Sequence, residues 1–129
     1  MDARLVAEFQ LIQKHYPDAE LREDGWIRLP KFSLPSGVWN QSTIEVAIQV
    51  PPGYPGNPPY GIYVKPSLRL KSSDQKPGAY EEPATTPFGE GWGKFSWQHD
   101  GWHASADLLS GSNLRNFIQT FIERFREGS

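Results

Sequence analysis

The chain has 129 residues, of which 37% are hydrophobic, 22% charged and 13% aromatic, enough for one core and too short for two ordinary domains. With 12 Gly and 12 Pro an all-helical bundle is excluded, and a formal charge of −2 offers no basic field to a nucleic-acid backbone. Cysteine is absent, which removes disulfides, Cys-ligated zinc, iron–sulfur clusters and any thiol nucleophile.

At the N-terminus Asp2 can cap a helix, and Leu5, Val6, Phe9 and Ile12 recur at helical spacing. Pro17 ends the segment, so a helix is predicted over about residues 3–15. Glu23-Asp24-Gly25 is a hairpin signal leading into Trp26-Ile27-Arg28-Leu29. From Thr43 to Val50 the chain alternates, with Ile44, Val46, Ile48 and Val50 on one face and Thr43, Glu45, Ala47 and Gln49 on the other. That pattern predicts a meander with one buried face and one wet face. A short strand follows from Tyr60 to Val64, and residues 71–91 read as a long irregular loop. Leu114, Phe117, Ile118, Phe121, Ile122 and Phe125 then line one side of a predicted helix over 113–127, with Ser112 or Asn113 as its cap. The order predicts a single α+β domain: helix, three to four antiparallel strands, a long irregular stretch, helix. No apolar run is long enough to span a membrane, and MDARLVAEFQ has no leader pattern. A cytoplasmic domain without a membrane or nucleic-acid partner, and without a cofactor, is expected.

Between the second and third predicted strands lies Pro51-Pro52-Gly53-Tyr54-Pro55-Gly56-Asn57-Pro58-Pro59. Prolines lack amide donors and glycines permit sharp reversal, so the stretch is a stiff connector. It also resembles the Tyr-Pro…Pro-Pro connector of the ubiquitin-conjugating-enzyme (UBC-like) fold. Two further features narrow the resemblance to a bacterial branch of that superfamily, the prokaryotic family E. One is the lead-in from Leu29-Pro30-Lys31-Phe32 through Leu34-Pro35 to Asn40. The other is the aromatic block Trp92, Trp97, His99 and Trp102. The likeness spans about residues 20–125 and implies a long active-site segment before the last helix. Conjugating enzymes carry their modifier as a thioester on a cysteine; this chain has none, as is general in the branch it resembles.

The resemblance implies partners: a ubiquitin-like protein, a ThiF-like activating enzyme and, in the same pathway, a JAB-type metalloprotease. Phage defence is a candidate role for such a pathway. Tyr54, Pro55, Trp92, Trp97, Trp102 and His103 are the candidate partner-binding residues, although packing under the loop is the ordinary role for the tryptophans. His99 is the candidate general base toward a lysine amine or a serine hydroxyl, against a plain loop-fixing histidine. Ser96 is the candidate oxyester carrier, against a solvent-facing serine; Ser105 and Ser110 are weaker. Asp100 is adjacent to His99 but is expected to point elsewhere. His99, His103 and Asp107 would align as metal ligands only on a helix, which Gly101 disfavours, so no metal is expected. Tyr80, Glu81 and Glu82 are read as solvated loop rather than a binding lip. Three roles remain: a cysteine-less recognition subunit for the ubiquitin-like protein or its activating enzyme, an acyl carrier or transferase using Ser96 or His99, and a structural adaptor.

Overall fold

A computed structural model describes residues 3–99 and 101–127, so the Asp2 cap and the side chain of Asp100 lie outside the described residues. Helix α1 spans Ala3–Gln13, and its Leu5, Phe9 and Ile12 are buried as the periodicity requires. Six strands follow: β1 (Glu20–Leu21), β2 (Trp26–Ser33), β3 (Thr43–Gln49), β4 (Ile62–Lys65), β5 (Tyr80–Glu81) and β6 (Gly93–Phe95). They form one antiparallel sheet in the order β1-β2-β3-β4-β6-β5. The predicted three to four strands are the long ones. β1, β5 and β6 are two or three residues each, too short to display a period of two. Among the described residues no helix is long and apolar enough to cross a membrane.

The turn into β2 requires Gly25, whose φ of 90° suits only glycine and whose amide closes the turn on the Arg22 carbonyl at 3.1 Å. Within β2 the pairing with β3 slips by one residue between Leu29 and Phe32. Pro30 lies in this bulge, where a missing amide donor costs no ladder bond. Leu29, Phe32 and Leu34 of the Leu-Pro lead-in are all buried.

Alternation along β2, β3 and β4 sends Ile27, Leu29, Ile44, Val46, Ile48, Ile62 and Val64 to the helical side. Beneath them lie α1 and two C-terminal helices, α2 (Leu114–Gln119) and α3 (Phe121–Glu127). The single helix predicted over 113–127 is therefore interrupted at Thr120. Its hydroxyl donates to the Phe117 carbonyl at 2.6 Å, a local bond that competes with the helical ladder. The interruption preserves the face carrying Phe117, Phe121 and Phe125, which remain fully buried, but turns Ile122 out to 45% exposure. Asn113 caps α2 in a reciprocal box with Asn116. Arg124 is buried on α3, with its guanidinium 4.4 Å from the Phe95 ring centre and Nη2 donating to the Gly78 carbonyl at 2.7 Å.

The opposite face of the sheet corrects the expectation of a wet surface. Trp26, Ala47, Tyr63 and Trp92 form a second buried cluster there, covered by Ala84 and Phe88 of the irregular loop. Arg22 and Arg28 both lie over the Phe88 ring, at 5.7 and 5.6 Å. The loop thus straps an outer face that the alternating pattern left half apolar.

Glu8 joins three elements on the helical side. It sits on the apolar stripe of α1, fully buried, and accepts from Arg4 Nε at 2.8 Å, the Tyr54 hydroxyl at 2.5 Å and the Leu114 amide at 2.7 Å. Removing one member of a buried charged set leaves the others uncompensated. Glu8→Ala is expected to destabilise the fold by about 3–5 kcal/mol, and Tyr54→Phe by about 1–2 kcal/mol, in urea unfolding. A loss under 1 kcal/mol for Glu8→Ala would refute the role given to this carboxylate.

Candidate functional site

Where β6 ends, the chain turns under α3 and opens a cleft of about 610 Å³ lined by Tyr60, Ser96, Trp97, Gln98, His99, Thr120 and Glu123. Backbone bonds fix its floor. The Ser96 amide donates to the Ala79 carbonyl at 2.8 Å, and the Gly61 amide to the Trp97 carbonyl at 2.7 Å. Trp97 is oriented by its indole N–H, which donates to the Thr120 hydroxyl at 2.9 Å. The helix interruption and the tryptophan are thus one device: the threonine that breaks the helix also accepts from the cleft wall. Tyr60, half exposed at 51%, forms the opposite rim, with the Lys94 ammonium 5.6 Å from its ring centre.

His99 meets the Trp102 ring edge-on at 5.5 Å and 84°. The Trp102 indole N–H donates to the Pro55 carbonyl at 2.9 Å, and its ring lies 5.8 Å from that of Tyr54. The Tyr54 hydroxyl in turn donates to Glu8, and burial together with that carboxylate raises the phenol well above its ordinary value. A continuous path therefore runs from the cleft through His99, Trp102 and the connector to α1.

The predicted site residues divide accordingly. Ser96, Trp97 and His99 line one cleft, and Ser96 is exposed there. Tyr54, Pro55 and Trp102 come together as the brace behind it. Trp92 does not join them: it is fully buried on the outer face of the sheet, where the strap covers it. His103 is exposed and outside the cleft, its backbone paired with Ser112 at 3.0 and 2.8 Å. The His99, His103 and Asp107 spacing falls in irregular chain, and among the described residues no three His, Cys, Asp or Glu side chains cluster as metal ligands. Asp107 instead accepts from the Leu109 amide and the Ser110 hydroxyl, which hold its carboxyl below the usual range. Ser105 contributes its carbonyl to Arg4 Nη1 at 2.5 Å.

Tyr60, Gln98, Thr120 and Glu123 are cleft residues that sequence reasoning missed. Thr120 carried a usable signal, a polar β-branched residue between the buried Phe117 and Phe121 of the helical stripe. Tyr80 and Glu82, read as solvated loop, are a tether. The Tyr80 hydroxyl accepts from the Leu68 amide at 3.1 Å and donates to Glu82 at 3.0 Å, while Arg69 pairs with Glu82 through its Nη1 and Nη2 nitrogens. Gly93 is required below that phenol, because a Cβ there would lie 2.0 Å from its oxygen.

An N-terminal helix, an antiparallel meander, a proline-rich connector braced by a tryptophan and a cleft before the C-terminal helices define a UBC-like α+β domain. The chain belongs to the prokaryotic E2 family E, whose family model matches residues 5–124. That membership gives it a role related to ubiquitin-like conjugation, in a chain that has no cysteine. Comparison with curated proteins and with solved structures gives no match.

The Glu82 tether has a definite pH signature. Hydrogen bonding to Arg69, ahead of Ser67 and Tyr80, holds its carboxyl down at about 2, against 4.5 for an unperturbed glutamate. Because the folded value is depressed, the stabilisation is complete above the unfolded value and is lost as pH falls from about 4.5 through about 2. Glu82→Gln is expected to remove about 1 kcal/mol at neutral pH, a figure reduced for solvent screening, and to flatten the acid slope in that window. Urea unfolding between pH 7 and pH 2 reads both. Parallel pH profiles for the two proteins would remove the tether from the account.

Proposed function

We propose that this chain is a recognition subunit of a bacterial ubiquitin-like modification pathway, binding the ubiquitin-like protein, its ThiF-like activating enzyme, or both through the cleft. The observation that carries this reading is the state of the cleft's own donors. Acyl transfer to a hydroxyl needs backbone amides aimed at the developing oxyanion. The Ser96 amide, just past β6, and the Gly61 amide, just before β4, are already bonded to the Ala79 and Trp97 carbonyls. The indole N–H of Trp97 is engaged by Thr120. The cleft also presents an aromatic and polar surface, with Tyr60, Trp97, Gln98 and Glu123 along its wall. Such a surface suits association, in which rigid aromatics supply contact at little entropic cost.

The alternative reading is an acyl carrier or transferase acting through a Ser96 oxyester, or through His99-assisted transfer to a lysine. It is favoured by one observation, the shared placement of Ser96 and His99 along the cleft.

Intact-mass spectrometry decides between them. The protein is incubated with the ubiquitin-like protein, the ThiF-like activating enzyme, ATP and Mg²⁺, and its mass is read under denaturing and native conditions. A native complex with no denaturation-resistant adduct is expected. Tyr60→Ala combined with Glu123→Lys should weaken that complex by about tenfold or more with the fold retained. An alkali-labile adduct that disappears in Ser96→Ala would overturn the recognition reading and establish the carrier.

A further inference from the structure

Between β5 and β6, residues 82–92 form a hairpin loop that folds back over the outer face of the sheet. Its first residue is tied down, since Glu82 is held by Arg69 and Tyr80. Beyond that point the fastening is slight. Among the described residues, 83–91 bond only to one another and to Trp92. The Ala84 amide donates to the Trp92 carbonyl at 2.8 Å, the Phe88 amide to the Thr86 hydroxyl at 3.1 Å, and Thr86 bridges Gly89. A cleft of about 650 Å³ lies against the loop, lined by residues 83–86 and 89–91 and by no residue of the sheet.

What fixes the loop to the sheet is one ring. Phe88 meets Trp26 edge-on at 6.0 Å and lies 5.7 Å from Trp92, yet it is itself only half-buried. The two guanidinium groups over that ring belong to the frame rather than to the loop. Arg22 is paired with Asp24, and Arg28 with Glu20 and Glu45, so both stay in place without Phe88. Under this single latch Trp92 is fully buried, and its indole N–H is shielded from solvent with no acceptor. A closed form that leaves a polar group unmet is less stable than its apolar contacts alone suggest. Gly91, at φ 91° beside Trp92, places a glycine where the loop rejoins the sheet.

We infer that residues 83–91 are a lid, latched by Phe88, whose opening uncovers the face formed by Trp26, Tyr63 and Trp92 while the sheet stays folded. Segments with few apolar contacts and few hydrogen bonds to the rest of a protein open below the free energy of global unfolding, and lids are drawn from them. The lid gates the side of the sheet opposite the helices. An aromatic face left permanently open would be an association hazard, and the lid confines its exposure to the open form.

Hydrogen exchange on the full chain, read by NMR at increasing sub-denaturing urea, tests this. The Trp92 indole N–H and the Ala84 amide are expected to show protection about a hundredfold or more below that of Val46 and Ile48 in β3, with little dependence on urea. Phe88→Ala should lower Trp92 indole protection by a further tenfold or so, with Val46 and Ile48 changed far less. Exchange of Trp92 and Ala84 with the same protection and urea slope as β3 would overturn the inference, because the loop would then open only on global unfolding. So would an equal fall at all four positions in Phe88→Ala, which would make that ring ordinary core. The comparison within the unaltered protein stands even if Phe88→Ala fails to fold. It involves no modifier or partner, so its failure leaves the cleft reading untouched.

Discussion

One buried carboxylate organises this molecule. Glu8 is taken out of water on the underside of α1, at a desolvation cost that only close, complete hydrogen bonding offsets. Its three donors come from three places that are far apart in sequence: Arg4 on the same helix, Tyr54 in the connector and Leu114 at the start of α2. The short helix α2 spans six residues, too few to be stable in isolation. It persists because its first amide is held by Glu8, its cap by Asn113, and its apolar side by the sheet. The connector is equally dependent. Its prolines supply stiffness but few hydrogen bonds, so its position is set by the Tyr54 hydroxyl on one side and by the Trp102 indole on the other.

That arrangement explains how a thin sheet supports a cleft at its far edge. β6 and β5 are short, and their hold on the rest depends on side chains more than on ladder bonds. Phe95 is packed between Trp39, Tyr80 and Phe125, and Arg124 lies against its ring. Trp39 donates its indole N–H to the Phe125 carbonyl at 2.9 Å, tying the β2–β3 loop to the end of α3. On the outer face the strap residues Ala84 and Phe88 close over Trp92 and Trp26. The sheet is therefore packed on both faces, and Ser96 and Trp97 leave β6 from a point fixed by Phe95.

The long periodic segments were legible in the sequence, and the short or polar ones were not. α1, the β2–β3 hairpin and the buried face of the C-terminal helices follow from the spacing of Leu5, Phe9, Ile12, Ile44, Val46, Ile48, Phe117, Phe121 and Phe125. The resemblance carried by the proline connector and the Leu-Pro lead-in led to the correct family. What escaped detection has a common physical character. Glu8, Arg124 and the Tyr80–Glu82 pair are polar groups whose partners lie 46, 106 or about a dozen residues away, as for Arg124 with Gly78, Glu8 with Leu114 and Tyr80 with Leu68. Periodicity marks them as solvent-facing because it has no term for a distant partner. Trp92 was grouped with Trp97 by proximity in the chain, although β6 begins between them and sends them to different sides of the sheet. Ala47 shows the same limit: its small side chain reads as neutral, and only the strap makes it core.

The absence of a thiol gives these observations their functional weight. In an acyl carrier the segment after β6 must leave its amides free to meet a developing oxyanion and must let the nucleophile move between partners. Here the Ser96 amide is bonded to the Ala79 carbonyl, the Trp97 carbonyl accepts from the Gly61 amide, and the Trp97 and Trp102 indoles donate to Thr120 and Pro55. These bonds fix the two tryptophan rings in place, which lowers the conformational entropy left to lose at this surface. At the junction of α2 and α3 the Thr120 hydroxyl serves both sides, donating to the Phe117 carbonyl and accepting from the Trp97 indole, so the helix pair and the cleft wall are joined through one side chain.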